Sequence, residues 1–163
     1  MQKIGIISDT HSFIDEKLFD FLKDCDIVFH AGDIGDISVY DKLAKKFKIY
    51  AVSGNIDNYR IREFIDDIVF AKIESVNILM THIGGYPGRY VPKFRKQIET
   101  KGVNMVITGH SHILKVIFDK KNNHLHINPG AYGKSGFHKV RTAIRLVIEG
   151  SEIKDLEILE VDR

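Results

Sequence analysis

Seven side chains able to bind metals or move protons stand in five short clusters: Asp9 with His11, Asp33, Asn55, His82, and His110 with His112. Carboxylate, amide and imidazole donors without thiolate suit borderline or hard divalent ions such as Mn, Zn, Fe or Ni. Seven donors are too many for one tetrahedral ion. They suit two ions about 3.5–4 Å apart sharing a carboxylate, the arrangement that clamps attacking and leaving oxygens in phosphoryl transfer. The Asp-x-His and His-x-His spacings predict both side chains of each pair on one side of an extended backbone, since strand side chains alternate with period two. Gly32, Gly54 and Gly109 leave space for the backbone to turn tightly beside the ions.

Each cluster follows an apolar stretch that reads as a strand, so the elements must bring strand ends together. Residues 3–8 are β-branched and continuously apolar, as expected of a strand buried on both faces. Further strands are predicted at 26–30 and 48–53. A helix is predicted from Asp15 to about Asp24 with Leu18, Phe21 and Leu22 at helical spacing. A second begins at Ile37 with Ile37, Tyr40, Ala44 and Phe47 on its apolar face. This alternation implies a parallel sheet with right-handed crossovers. The C-terminal ends of one such sheet share an edge, where ligands bind in open α/β folds.

Beyond Phe64, strands are predicted at 68–73, 77–81 and 104–108, with a helix around 92–101 whose buried stripe is Val91, Phe94 and Ile98. The last third reads as all-β, with strands at 114–119, 125–128 and 142–149, and 153–161 pairing back on its predecessor. The expected fold class is α/β, a two-sheet β-sandwich flanked by helices, parallel sheet first and a more antiparallel sheet second. With 163 residues, one domain over 1–163 is expected to bury a core without disulfide staples.

In order, Asp9-x-His11, Gly32-Asp33-x-x-Asp36, Gly54-Asn55, His82 and Gly109-His110-x-His112, with a trailing Asn128-Pro129-Gly130, resemble the motifs of the calcineurin-like metallophosphoesterase superfamily. The resemblance runs from residue 3 to about 130, without a cap domain. It is similar to the minimal bacterial and archaeal phosphodiesterase branch, itself similar to the retromer scaffold subunit, which does not depend on catalysis. The resemblance implies two divalent transition-metal ions per chain, Mn first, with Zn, Fe or Ni as alternatives. Asp9, His11 and His112 would hold one ion, and Asn55, His82 and His110 the other, with Asp33 bridging. Asp33, Asn55 and His110 form the implied catalytic set. The implied reaction is hydrolysis of a small phosphodiester by in-line attack of a metal-bridging hydroxide, with the metals neutralising the equatorial oxygens.

One position departs from the pattern. Many superfamily members carry a proton-donating histidine directly after the Gly-Asn pair; here Ile56 stands there, followed by Asp57. Such a donor typically contributes ~10²–10⁴-fold. Two dications, the Asp9 and Asp33 carboxylates and a hydroxide leave about one net positive charge. That matches a monoanionic diester better than a dianionic monoester. The competing expectation is a catalytically weak or inactive scaffold acting through protein contacts.

Other classes are excluded by composition. A net charge of +2, from 24 basic and 22 acidic residues, is too small for the footprint of a duplex nucleic-acid binder. Neither a Gly-x-Gly-x-x-Gly nor a P-loop follows the first strand. The single Cys25, between Asp24 and Asp26, is neither staple nor good nucleophile. No apolar run approaches the ~18–20 residues of a membrane span, and no basic segment leads a long apolar core. A cytoplasmic protein without membrane contact is expected, with self-association left open.

Asp36 reads as an N-cap for the helix at Ile37, and His30 as a core histidine orienting a neighbour. His124 and His126 copy the spacing of His110 and His112 but alternate with Leu125 and Ile127, so their rings are expected on a solvent-facing sheet face. His138 either edges the substrate cleft or is solvated. Arg89, on the glycine-rich loop 84–89, is a candidate for touching substrate phosphate.

Overall fold

The apolar runs and helical repeats become ten strands and four helices in the computed structural model, which describes residues 1–163. One sheet contains β1 (Gln2–Ile7), β2 (Ile27–His30), β3 (Lys48–Ala51), β9 (Val140–Glu149) and β10 (Glu152–Asp162) in the order β10-β9-β1-β2-β3. The other contains β4 (Ile68–Ile73), β5 (Val76–Thr81), β6 (Met105–Ile107), β7 (Leu114–Asp119) and β8 (His124–Pro129) in the order β4-β5-β6-β8-β7. The helices are α1 (Glu16–Leu22), α2 (Ile37–Ala44), α3 (Tyr59–Arg62) and α4 (Pro92–Lys101). None is long and apolar enough to cross a membrane.

The two-sheet sandwich is the expected one, but its strands are shared differently. β1, β2 and β3 run parallel, whereas β9 and β10 add to the same sheet antiparallel, with Ile144 opposite Ile6. In the second sheet β5, β6 and β8 are parallel between antiparallel edges β4 and β7. Both sheets are therefore mixed, rather than one parallel and one antiparallel. Pairing β1 with β9 joins opposite ends of the chain, so no local pattern announces it.

Between the sheets, Ile4, Ile6 and Phe29 meet Ile78, Met105 and Ile127. Such interdigitation of two inner faces is the usual sandwich core. The outer face of the first sheet is covered by α1 and α2 through Leu18, Leu22, Val39 and Leu43. That of the second is covered by α4 through Phe94 and Ile98. The stripe of α2 differs from expectation: Val39 and Leu43, one turn apart, are buried, while Ile37 and Tyr40 are half-buried and Ala44 is exposed. Val91 is not part of the α4 stripe either, because it precedes the helix as its cap residue, with Pro92 at the first position. The short α3 was not expected; the Asn58 side chain caps it by accepting from the Arg60 and Ile61 amides.

His124 and His126 are fully buried, contrary to the solvent-facing expectation. β6 and β7 pair with the two edges of β8, and both of its faces are covered. Leu125 and Ile127 pack toward the sandwich core, and the imidazoles face Tyr90, whose Oη lies 2.9 Å from His124 Nε2 and 2.9 Å from His126 Nδ1. One hydroxyl both donates and accepts, so it serves both rings. Burial pushes the His126 imidazole down to about 4, which keeps it neutral.

Two expectations hold without change. Asp36 caps α2 by accepting from the Ser38 amide at 2.8 Å. His30 is a buried core histidine, pushed by desolvation to about 4, with Nε2 2.9 Å from Thr10 Oγ1. The Thr10 hydroxyl donates to the Ile34 carbonyl at 3.0 Å, so His30 braces the loop between Asp9 and His11. Burial raises the Cys25 thiol to about 11, leaving it unreactive.

Candidate metal centre

Strands of both sheets end at one rim. Asp9 and His11 follow β1, Asp33 follows β2 and Asn55 follows β3; His82 follows β5, and His110 and His112 follow β6. The expectation of a single parallel sheet is corrected here, since the second sheet supplies three of the imidazoles. Hydrogen bonds tie neighbouring loops within each sheet: Asp9 N donates to Gly32 O at 2.9 Å, His11 N to Asp33 O at 3.0 Å and Gly109 N to His82 O at 3.0 Å.

The local backbone is also not the extended one predicted from spacing. Asp9, His11, Asp33, His110 and His112 adopt φ of 52°, 44°, 54°, 69° and 59°, in the left-handed region. Each such residue costs on the order of 1–3 kcal/mol, strain that persists only where surroundings over-determine it. The Asp9 carboxylate is part of that determination, accepting from Ser8 Oγ at 2.6 Å and from the His110 amide at 3.1 Å. A Cβ on Gly109 would lie 2.2 Å from Ser8 Oγ and 3.0 Å from Asp9 Oδ2, so only glycine fits there.

All seven predicted side chains come together. Asp9, His11 and His112 form one group, and Asp33, His82 and His110 another, each with donor atoms within 4.8 Å of one another. Asp33 Oδ2 lies 3.5 Å from His11 Nε2 and 3.3 Å from His82 Nε2, and so reaches both groups. Asn55 Oδ1 is 3.1 Å from His82 Nε2.

The donor atoms fit a cation. His82 Nδ1 is 2.7 Å from the Ala31 carbonyl, which only accepts, so its proton sits on Nδ1 and the Nε2 lone pair faces Asp33 and Asn55. Asp9 Oδ1 and His11 Nε2 are buried without any hydrogen-bond partner. Burial alone would raise the Asp33 carboxyl, but a protonated His82, through its charge and the Nε2–H hydrogen bond it then makes, outweighs it together with the Ile56 amide and holds the group below the usual range. Burial likewise lowers the His82 imidazole, yet Asp33 and Asp9 more than compensate and raise it. A field that favours a proton on this imidazole favours a metal cation for the same reason.

His138 belongs to this centre, a role that residue type alone left open. Its Nε2 is 2.8 Å from the Gly133 carbonyl and must carry the proton, so the neutral ring presents a bare Nδ1, 3.2 Å from His112 Nδ1. His112 then donates from Nδ1 and leaves its Nε2 lone pair toward Asp9 Oδ1, 3.0 Å away. His138→Ala should weaken Mn binding about 10- to 100-fold in a calorimetric titration, and His138→Gln, which retains an acceptor, should restore part of it. Equal affinities in all three proteins would remove this role.

Asn128 holds the same loop, donating to Gly109 O at 2.8 Å; its place in the trailing Asn-Pro-Gly motif is the signal that marks it. Asp57 cannot replace the missing proton donor beside Ile56, because its carboxylate accepts from Gly54 N at 2.7 Å and Gly35 N at 2.8 Å. Arg89 is exposed on its loop, and the geometry assigns it no place at the centre.

Two sheets that deliver carboxylates, an amide and imidazoles to a common rim define the class of metallophosphoesterase sandwiches. The chain belongs to the calcineurin-like phosphoesterase superfamily, whose domain matches residues 2–151. A probable metallophosphoesterase of Methanocaldococcus jannaschii is 31% identical over 134 residues, covering 78% of this chain and 67% of that relative. Wild-type Vps29 from Entamoeba histolytica, solved in complex with zinc, superposes with a TM-score of 0.74 at 20% identity, covering 98% of each chain. A novel archaeal phosphodiesterase superposes with a TM-score of 0.69 at 24% identity, covering 98% of this chain and 99% of its own. Likeness at these identities carries the fold.

Proposed function

We propose that the chain is a dinuclear-metal phosphodiesterase acting as one cytoplasmic domain over residues 1–163, with Asp9, His11 and His112 holding one divalent ion and Asn55, His82 and His110 the other. The observation that carries this reading is the reach of Asp33 into both groups, among buried lone pairs that lack any other partner. When bound there, two transition-metal ions, Mn foremost, would supply the Lewis acidity that acidifies water and neutralises phosphate oxygens. Asp33 stays ionised between the groups, Asp9 anchors the His110 loop, and exposed His110 stands at the mouth, where a phosphate oxygen arrives. Neither apolar Ile56 nor the engaged Asp57 protonates the leaving oxygen, so diesters with stable leaving alkoxides are favoured.

Reconstituted protein is expected to bind about two Mn equivalents and to hydrolyse diesters with higher kcat/KM than matched monoesters. Absence of metal binding would overturn the centre; faster monoester hydrolysis would overturn the diester preference. The second reading, a scaffold, is favoured by Ile56 and by the likeness to Vps29. It requires that no diester be turned over with Mn, Ni, Zn or Mg.

A further inference from the structure

Two clefts open onto the centre, and their chemistry differs. One, of about 440 Å³, is walled by His110, Ser111 and His112 against Ile113, Phe137 and His138. Ile113 is 64% exposed and Phe137 wholly exposed, each directly beside an imidazole of the centre. Large apolar side chains held in water at a cleft mouth mark a surface for an apolar ligand.

Several polar groups of this cleft are already engaged, Ser111 Oγ as an acceptor and His138 through both nitrogens. Ser111 Oγ is enclosed by the Tyr86 hydroxyl, by Asn128 Nδ2 at 3.2 Å and by its neighbour's amide, Ile113 N, at 3.2 Å. His138 spends one nitrogen on Gly133 O and the other on His112. No lysine, arginine or carboxylate lines it. A sugar or a second phosphate placed here meets no charged side chain and gains little over water, whereas an apolar group covers Ile113 and Phe137.

The second cleft, of about 220 Å³, lies on the flank of Asn55 and His82 and is lined by Ser53, Arg62 and Asp67. Arg62 donates from Nε and one Nη to the carbonyls of Asp57 and Gly54, which fixes its guanidinium at the wall of this cleft. Asp67 accepts from Thr81 through its backbone carbonyl, and its carboxylate on the cleft wall offers an acceptor for a ligand hydroxyl.

We propose that the substrate is an amphipathic phosphodiester, its apolar ester group against Ile113 and Phe137 and its hydroxyl-bearing alcohol on the Asn55 flank. The inference rests on the phosphodiesterase reading and gives it a substrate class. Water adds across one P–O ester bond, its oxygen joining phosphorus and a proton passing to the leaving alkoxide, to leave a phosphomonoester and an alcohol.

The test uses the full Mn-loaded chain and glycerophosphate esters of methanol, butanol, octanol and phenol, followed by phosphorus NMR, with octylphosphonate binding measured by calorimetry. Catalytic efficiency and binding should rise about two- to fourfold per added methylene until the cleft is filled. Calorimetric binding of phenylphosphonate beside octylphosphonate, neither of which has an alcohol leaving group, separates a preference for aromatic rings from one for alkyl chains. Phe137→Ser and Ile113→Ser should flatten the series and weaken octylphosphonate binding at least fivefold. A flat series in the native chain, a slope unchanged in both variants, or a nucleoside diester preferred over the octyl ester would overturn the inference while leaving the phosphodiesterase reading intact. Hydrolysis of no member would overturn that reading itself.

Discussion

Asp33→Asn is expected to lower turnover at least about a thousandfold while the metal-free protein melts within a few degrees of the native chain. The substitution retains an acceptor for the Ile56 amide, 3.0 Å from Asp33 Oδ1, so the loop after β3 keeps its tether. What it removes is the carboxylate that lies nearest to both donor groups, 3.5 Å from His11 and 3.3 Å from His82. Asp9 also flanks both imidazoles, at 3.9 Å from each, so in the metal-free state one carboxylate still stands beside them. Metal that binds only the folded chain at a hundred times its Kd stabilises by about 2.7 kcal/mol. For a chain of this size that is roughly 5–10 °C in Tm. Melts with and without Mn should show this increment in the native protein and lose it in Asp33→Asn. Retention of the increment, or turnover within tenfold of native, would sink the bridging role.

The chemistry of the centre was more legible than its geometry. Residue type and order were enough to collect all seven side chains, because each directly follows an apolar strand and strand ends concentrate at edges. Their backbone conformation was not legible: Asp9 and His11 are held left-handed by partners such as Gly32 and Asp33, which lie on another loop. The same limit explains His124 and His126. Alternation identifies two faces of a strand, but whether the polar face meets water depends on what covers it. Here the cover is Tyr90, 34 residues from His124, in a loop with no periodicity. His138 shows the complementary case. Its sequence left it either at the edge of the substrate cleft or solvated, whereas its role follows from a single carbonyl, Gly133 O, that sets its proton and through it that of His112.

Gly54→Ala should be as damaging as loss of a ligand, although alanine has no chemistry of its own. Gly54 has an ordinary φ, so the requirement for glycine is spatial rather than conformational. A Cβ there would fall 2.0 Å from Asp33 Oδ1 and 2.2 Å from Asp33 N, hence against backbone as well as the carboxylate. Retreat is blocked on both sides, because Gly54 N donates to Asp57 Oδ2 at 2.7 Å and Gly54 O takes the Arg62 guanidinium. The strain must therefore move Asp33, whose displacement by even an ångström costs on the order of a hundredfold in rate. Overpacking of this kind also costs about 1–3 kcal/mol, or roughly 2–12 °C in Tm for a chain of this size. Gly102→Ala is the matched control: it caps α4 at φ 58° with no atom near its missing Cβ, so it should lose about 1 kcal/mol and keep its activity. If Gly54→Ala behaved like Gly102→Ala, the contact with Asp33 would not be what fixes the carboxylate between the two donor groups.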